Sequence, residues 1–480
     1  FWLKHLAQHP AQHQRLACCL RAMPSESDDR LDQLASPCKK LATTPSLSEA
    51  QRADRVKGLV LGCALGDAVG LATEFMTAAE ALETYGQLLT DRSAASEDAA
   101  CVGAELRPGD GIRDFHRAKW EPGDWTDDTD QLVLVLKTML PKDGEDIVAL
   151  REPNASEFAQ RLVDWHKGGF PELGDASGCG MGRSTARVVD EPDFTKDPSS
   201  AARRAWDATG RCAAPNGALM RAAATGIRGR TFVERDAASI AQATHADPRS
   251  TSACVAVATA IATMLEQVTV SFDSLAEGAC AAAERSLPEA SDLWEPAPRL
   301  WACASCTFEN SPASEQCEIC RAEPPASGSG TVNAGFGVTW TEAEAATRSY
   351  ERAPAIVELR LAVRGDPELE GRLKLDDKQT MGYVNTCLGA AFGALRDALT
   401  RRGGDMSDGE IFRHAIHTLT MAGGDADTNA AVAGALLGCL FGASALPADW
   451  LEALPHRAWI EKQAEQVARA VAVTFREAGS

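Results

Sequence analysis

The stretch Gly123-Asp-Trp-Thr-Asp-Asp-Thr-Asp130 crowds carboxylates and hydroxyls into very little chain, just ahead of the apolar run Leu132-Val-Leu-Val-Leu136. Acidic residues at a helix start are also what free N–H groups and the helix dipole favour, so this stretch alone is compatible with capping. A second stretch, Gly423-Gly-Asp-Ala-Asp-Thr428, again sets two aspartates and a threonine at the head of an apolar helix. Two oxygen-rich helix starts are expected to form two halves of one site for hard divalent cations. Mg²⁺ takes carboxylate, hydroxyl and water oxygens, and a two-metal site needs more carboxylates than one loop can supply. The oxygens of these stretches are those of Thr126, Asp127 and Asp128 in the first and of Asp425, Asp427 and Thr428 in the second.

The elements that must carry these clusters are helical. A helix is expected from Ser48, whose N-cap role is supported by Gln51 three residues on. It carries Gly58, Gly62, Gly66 and Gly70 at four-residue spacing, and the helix after the second cluster repeats the device with Gly434, Gly438 and Gly442. Glycine costs about 1 kcal/mol in a helix, so such stripes need the compensating close approach of a neighbouring backbone. Both helices are therefore placed in the deep core. Asp67 and Glu74 interrupt the first, and a carboxylate there must be paired, hydrogen-bonded or metal-bound. Helical pattern continues through 156–167, 252–268 and 275–287, resumes near Thr341, and runs through 381–399, 411–422 and 460–475. No strand-period alternation of any length interrupts it, and the fold class is all-α.

Composition bounds the partners. A net charge of −20 argues against nucleic acid or an anionic membrane as the main partner, and an anionic substrate would need local neutralisation such as bound metal. Most of the fifteen cysteines are scattered, which fits free thiols in a reducing compartment, cytoplasmic or nuclear. No uninterrupted apolar run reaches the roughly 18–20 residues of a membrane span. The chain starts with Phe, so an organelle address is not excluded, and residues 1–45 are expected to be a poorly ordered tail. Two parts of one helical domain, 46–287 and 331–480, flank a Pro-, Ser-, Glu- and Cys-rich insertion at 288–330.

Taken together, Gly66-Asp-Ala-Val-Gly70 with Glu74, Trp125-Thr-Asp-Asp-Thr129, Asn216-Gly-Ala-Leu-Met-Arg221, His245-Ala-Asp-Pro-Arg249, Gly382-Tyr-Val384, Gly424-Asp-Ala-Asp-Thr428 and Leu446-Pro-Ala-Asp-Trp450 resemble the ADP-ribosylglycohydrolase family in its motif order. The resemblance implies an all-helical domain in which two Mg²⁺ (or Mn²⁺) ions grip the ribose of ADP-ribose. It further implies hydrolysis of the bond from ribose C1 to a modified protein side chain or a small ADP-ribosyl compound. Carried over by position, the resemblance makes Thr126, Asp127, Asp128, Asp425, Asp427 and Thr428 the metal ligands, and Glu74 matches the acid that acts in catalysis beside Asp127 and Asp128. Gly178, Gly180 and Gly182 of the glycine-rich loop, with Asn216, Gly217 and His245, match positions lining the ADP-ribose groove. A lone histidine in such a turn is otherwise a satisfied structural residue, and a lone glycine loop is a weak phosphate signal. Ala218 stands where many relatives have Ser or Gly, and the 178–185 loop departs from the usual spacing. Since the family also contains crystallin-like members without activity, a silent ADP-ribose reader recruiting ubiquitinated partners is the alternative.

Within the insertion, Cys303, Cys306, Cys317 and Cys320 form C-x2-C-x10-C-x2-C, a spacing suited to tetrahedral Zn²⁺ in a finger over 299–325. Trp301 and Asn310 make it resemble the Ran-binding-protein-type zinc finger. Thr307, Phe308 and Ile319 resemble its NZF subgroup, which implies ubiquitin binding through those three positions. The segment 299–323 holds two arginines against four glutamates, which disfavours RNA.

Overall fold

The computed structural model describes residues 46–95, 105–141, 146, 148–289, 350–365 and 373–478, with four short strand segments between 301 and 341. The tail at 1–45 and the finger residues Cys303, Cys306, Thr307, Phe308, Cys317, Ile319 and Cys320 lie outside the described residues.

Helices dominate: α1 (Glu49–Gly70), α2 (Ala78–Ala95), α3 (Asp127–Met139), α4 (Ala155–Gly168), α5 (Arg183–Val189), α6 (Pro198–Asp207), α7 (Val233–Gln242) and α8 (Pro248–Glu266) make the first part. Then come α9 (Phe272–Arg285), α10 (Arg352–Arg364), α11 (Val384–Arg401), α12 (Asp408–Ala422), α13 (Ala426–Phe441), α14 (Ala448–Ala453) and α15 (Arg457–Ala478). The all-α class holds. The antiparallel pairs β1 (Trp301–Ala302) with β2 (Glu309–Asn310), and β3 (Thr331–Asn333) with β4 (Thr339–Thr341), are the strands among the described residues. The helix expected near Thr341 is replaced there by β4, and the next described helix begins at Arg352. Thr331, Val332, Thr339, Trp340 and Thr341 are β-branched or aromatic, residue types that fit a pleated pair better than a helix.

The core is organised on α1 and α13. Ser48 caps α1 through the full reciprocal box, its hydroxyl accepting from Gln51 N while the Gln51 side chain accepts from Ser48 N. From Val56 onward almost every α1 residue is buried, and α13 is buried throughout. The two helices run antiparallel along a seam with almost no side chain between them. A Cβ on Gly58 would lie 2.1 Å from the carbonyl of Gly438, one on Gly62 2.3 Å from that of Gly434, and one on Gly66 2.0 Å from that of Ala430. This backbone-to-backbone contact supplies the close approach that offsets the helix cost of the glycines. By length and composition the Glu49–Thr73 segment could cross a membrane, with mean hydropathy 1.4, yet 94% of that window is buried inside the fold. It is a core helix, packed between α13 and α15.

Candidate active site

Helix polarity brings the acids together. The C-terminal end of α1 carries Asp67, the turn after it carries Glu74, and the N-termini of α3 and α13 carry the two acidic clusters. Asp67 is fully buried and caps α3 from outside. Its Oδ1 accepts from Thr126 N (3.0 Å) and Oγ1 (2.9 Å), and its Oδ2 accepts from Thr129 N (2.9 Å) and Oγ1 (2.7 Å). Asp130 serves the scaffold, taking the indole N–H groups of Trp125 (2.8 Å) and Trp165 (2.9 Å). Asp127 and Asp128 are thereby presented on the inner side of the first turn. Asp128 Oδ2 accepts from the hydroxyls of Thr126 and Thr428, each at 3.3 Å, tying the two clusters directly.

Oxygens of Asp67, Asp128 and Asp427 lie within 4.8 Å of one another, as do those of Glu74, Asp425 and Asp427. Asp427 belongs to both groups, so two adjacent cation positions would share it. Asp128 Oδ1 is buried without a protein hydrogen-bond partner, an orphan that a cation would satisfy. All these donors are hard oxygens, and Thr126 and Thr428 add hydroxyls at the rim. The residues fit Mg²⁺ or a similar ion.

Electrostatics lead to the same conclusion. Burial, then repulsion from Asp67 and Glu74, pushes Asp127 up to about 8. Burial lifts Asp67 and Asp425 to about 6 against the hydrogen bonds they accept. Asp128 and Asp427 are driven well above the carboxylate range by burial and by their acidic neighbours. So many ionised groups cannot share one dry site unless positive charge is added.

Glu74 reaches the cluster from a tightly clamped turn. Phe75, the next residue, has φ +64°, a left-handed conformation costly for an aromatic residue. Its N–H donates to Gly424 O (2.6 Å), and Gly424 N returns a bond to Met76 O (2.8 Å). Gly424, at φ +73°, must be glycine, since a Cβ would lie 1.8 Å from Leu375 O. From the other side, the buried Arg117 guanidinium donates to the carbonyls of Leu71, Ala72 and Glu74. His116 completes the clamp, its Nε2 2.5 Å from Glu74 Oε2 and its ring between Phe75 and Trp120. The sequence reading did not single out His116, and nothing in its local sequence marks it.

The groove residues divide by role. Gly178 packs on the Trp165 indole, where a Cβ would lie 2.6 Å from the ring, and Gly180, at φ +105°, leaves room for Asp127 Oδ1. Gly182 starts α5 with open space beside it. Asn216 donates to Asp425 Oδ2 (2.7 Å), so it holds an acid of the cluster directly. Gly217 lies against His245, whose Nε2 is buried with no protein partner and whose pKa burial lowers to about 3. That neutral imidazole faces a cavity lined by Ser184, Arg187, Trp206, Thr244 and Asp247. A buried relay joins the two regions. Gln131 donates to Asp127 Oδ2 (2.8 Å) and accepts from Arg221 (2.8 Å), which also donates to Thr244 Oγ1 (2.5 Å), itself 2.7 Å from His245 Nδ1. Asp67 and the linking Gln131, Arg221 and Thr244 were not among the expected site residues; a carboxylate on a glycine-striped core helix was the one signal available for Asp67.

The ADP-ribosylglycohydrolase family model matches residues 48–477. The chain is 26% identical over 219 residues to the ADP-ribosylarginine hydrolase Tri1 of Serratia proteamaculans (strain 568), covering 45% of this chain and 48% of that protein. It is 27% identical over 216 residues to an uncharacterized protein of Archaeoglobus fulgidus, covering 44% and 55% respectively. The chain thus spans about half the length of the curated relatives it matches. A solved structure of an ADP-ribosylglycohydrolase-related protein complex aligns with TM-score 0.49 and 21% identity over 88% of this chain and 99% of that chain.

Proposed function

The chain belongs to the ADP-ribosylglycohydrolase family, and from that premise we propose that it hydrolyses the bond between ribose C1 of ADP-ribose and a protein side chain or small acceptor, with two Mg²⁺ or Mn²⁺ ions. The observation that carries this is the convergence of Asp67, Glu74, Asp128, Asp425 and Asp427 into two oxygen groups sharing Asp427, with Asp128 Oδ1 left for a cation. Asp127 completes the ligand set with the hydroxyls of Thr126 and Thr428. Bound ions would neutralise the carboxylates and grip the ribose hydroxyls, fixing C1 beside the protein groups.

Glu74 is the general base. Its carboxylate takes a proton from water as the water oxygen bonds to C1 through an oxocarbenium-like state. The bond from C1 to the acceptor breaks and the acceptor leaves with a proton, so one water is consumed per ADP-ribose released. The groove of Gly178, Gly180, Gly182, Asn216, Gly217 and His245 holds the rest of the nucleotide. Arginine-linked ADP-ribose is the first substrate to try, on the strength of the Serratia relative's name. The test is release of free ADP-ribose from a panel of arginine-, serine- and other ADP-ribosylated substrates, with and without Mg²⁺. Binding without release on every substrate would make the protein a reader.

The finger is the second part of the proposal: Zn²⁺ held by Cys303, Cys306, Cys317 and Cys320, with Thr307, Phe308 and Ile319 contacting ubiquitin. The register Trp301↔Asn310 and Ala302↔Glu309 supports it, because the two strands bracket the segment that contains Cys303 and Cys306. Titration of labelled ubiquitin against the full zinc-loaded chain, beside a Thr307→Ala/Phe308→Ala variant, tests it. No binding at about millimolar concentration, or binding indifferent to the substitutions, would refute it. A cytoplasmic or nuclear setting is proposed with it, supported by the free thiols of Cys63, Cys179, Cys254, Cys280, Cys387 and Cys439.

A further inference from the structure

We propose that His116 is a positioning residue for Glu74, donating from Nε2 to its carboxylate so that the group faces Asp425 and Asp427 in a single orientation; the inference rests on the hydrolase reading above. A glutamate has three rotatable side-chain bonds, and freezing them costs about 1.5–2 kcal/mol, so a catalytic glutamate needs a holder. Among the described residues, His116 is the side chain that bonds the Glu74 carboxylate. A Glu74 carboxylate oxygen also lies within 4.8 Å of oxygens of Asp425 and Asp427, so the carboxylate that His116 bonds is one that faces the cluster. The holder is itself held. Phe75 lies 5.1 Å from the imidazole centroid at 50° and Trp120 5.4 Å at 71°.

Arg117, next in the chain, bonds the carbonyl of Glu74 itself, so the His116 segment and the Glu74 turn form one body. A contact serving stability alone would not need the carboxylate to stand against the acidic cluster. Glu74 is 8% exposed, and a hydrophobic partner in place of the imidazole would have left Oε2 without that bond. Supporting groups of this kind typically change activity by about 10–100-fold when removed.

The experiment compares His116→Phe, which keeps a ring between Phe75 and Trp120 but donates nothing, with His116→Gln, which keeps an N–H donor. Steady-state release of ADP-ribose, Mn²⁺ affinity by electron paramagnetic resonance, and the imidazole N–H resonance of ¹⁵N-histidine-labelled protein are read for each. The expected result is a kcat reduced about 10–100-fold in His116→Phe, with KM and Mn²⁺ affinity within about threefold of wild type, and recovery to at least about a third of wild-type kcat in His116→Gln. A downfield Nε2–H resonance should be present in wild type and move in Glu74→Gln. Wild-type kcat in His116→Phe, equal losses in both variants, or a loss confined to KM or Mn²⁺ affinity would overturn the proposal. If the wild-type protein releases no ADP-ribose from any substrate, the hydrolase reading fails. The imidazole resonance then still decides the pairing: a shift in Glu74→Gln upholds it and indifference overturns it.

Discussion

Asp67→Asn separates two roles that coincide in one side chain. The carboxylate accepts four hydrogen bonds from Thr126 and Thr129, two on each oxygen. An amide offers one acceptor oxygen, and although a threonine hydroxyl can rotate to accept from its NH₂, one backbone N–H is left facing a donor. A buried donor without a partner costs about 1–3 kcal/mol. Against this stands the strain of ionised Asp67, whose pKa of about 6 against 3.8 amounts to about 3 kcal/mol at neutral pH. The terms nearly cancel, so the metal-free variant should melt within about 5 °C of wild type in EDTA. Mg²⁺ should separate the two proteins. Wild type at a concentration 100-fold above Kd gains about 2.7 kcal/mol, whereas a variant weakened 10–100-fold gains about 1.4 kcal/mol or less. Thermal melts in EDTA and in Mg²⁺, with helicity followed by circular dichroism, read both quantities. A wild-type response to Mg²⁺ would refute the placement of Asp67 in the metal centre. A collapse of the EDTA melt by more than about 10 °C would show that the carboxylate is a cap and little else.

Three other perturbations reach different parts of the molecule. Asp427→Asn and Asp127→Asn should each abolish most turnover while helicity is kept, whereas Glu74→Gln should keep Mn²⁺ affinity largely and slow kcat about 10²–10⁴-fold; near-normal turnover at saturating Mg²⁺ would contradict the assignment. Gly66→Ala would put a methyl 2.0 Å from Ala430 O, so the helices must part, at a cost of about 3 kcal/mol or more read as a lower melting temperature. In EDTA, Asp127 at about 8, with Asp67 and Asp425 at about 6, bind protons more tightly folded than unfolded. The stability from that proton binding is full below the unfolded value of 3.8 and disappears as pH rises through about 6 to about 8, so metal-free melts should fall across that range and Mg²⁺ should restore most at the upper end. A pH-independent melt in EDTA would count against the buried acidic cluster.

How much of this was legible in the sequence follows from what each feature depends on. The capping box at Ser48 and Gln51 is local, and the structure contains it as expected. Both acidic clusters were visible because each is contiguous, and Glu74 because it sits in a matching motif. The glycine stripes announced a close helix contact, though not that α1 and α13 were each other's partners. His116 was invisible, because its meaning lies in a contact with Glu74 across an aperiodic loop. The relay from Asp127 through Gln131, Arg221 and Thr244 to His245 was hidden for a related reason: Asp127 and Gln131 share one turn of α3 and Thr244 and His245 are consecutive, but only packing brings Arg221 to both pairs. Asn216 was expected in the groove, and its bond to Asp425 depends on a rotamer that no spacing encodes.

The bare seam between α1 and α13 has a mechanical consequence. Where helices meet through leucines or methionines, rotamers act as springs, and the distance between the helix axes can drift by fractions of an ångström. Here carbonyls meet glycine Cα atoms directly, so there is no spring to compress or extend. One end of that stiff joint carries Asp67, and the facing end carries Asp425 and Asp427. The gap between the carboxylates is therefore set by main-chain van der Waals radii, a ruler with almost no play. Such a ruler would suit an ion that demands oxygens at about 2.0–2.1 Å and resist one that needs about 2.3–2.6 Å, so in the proposed metal centre the discrimination between Mg²⁺ and Ca²⁺ would be built at a joint that touches neither ion.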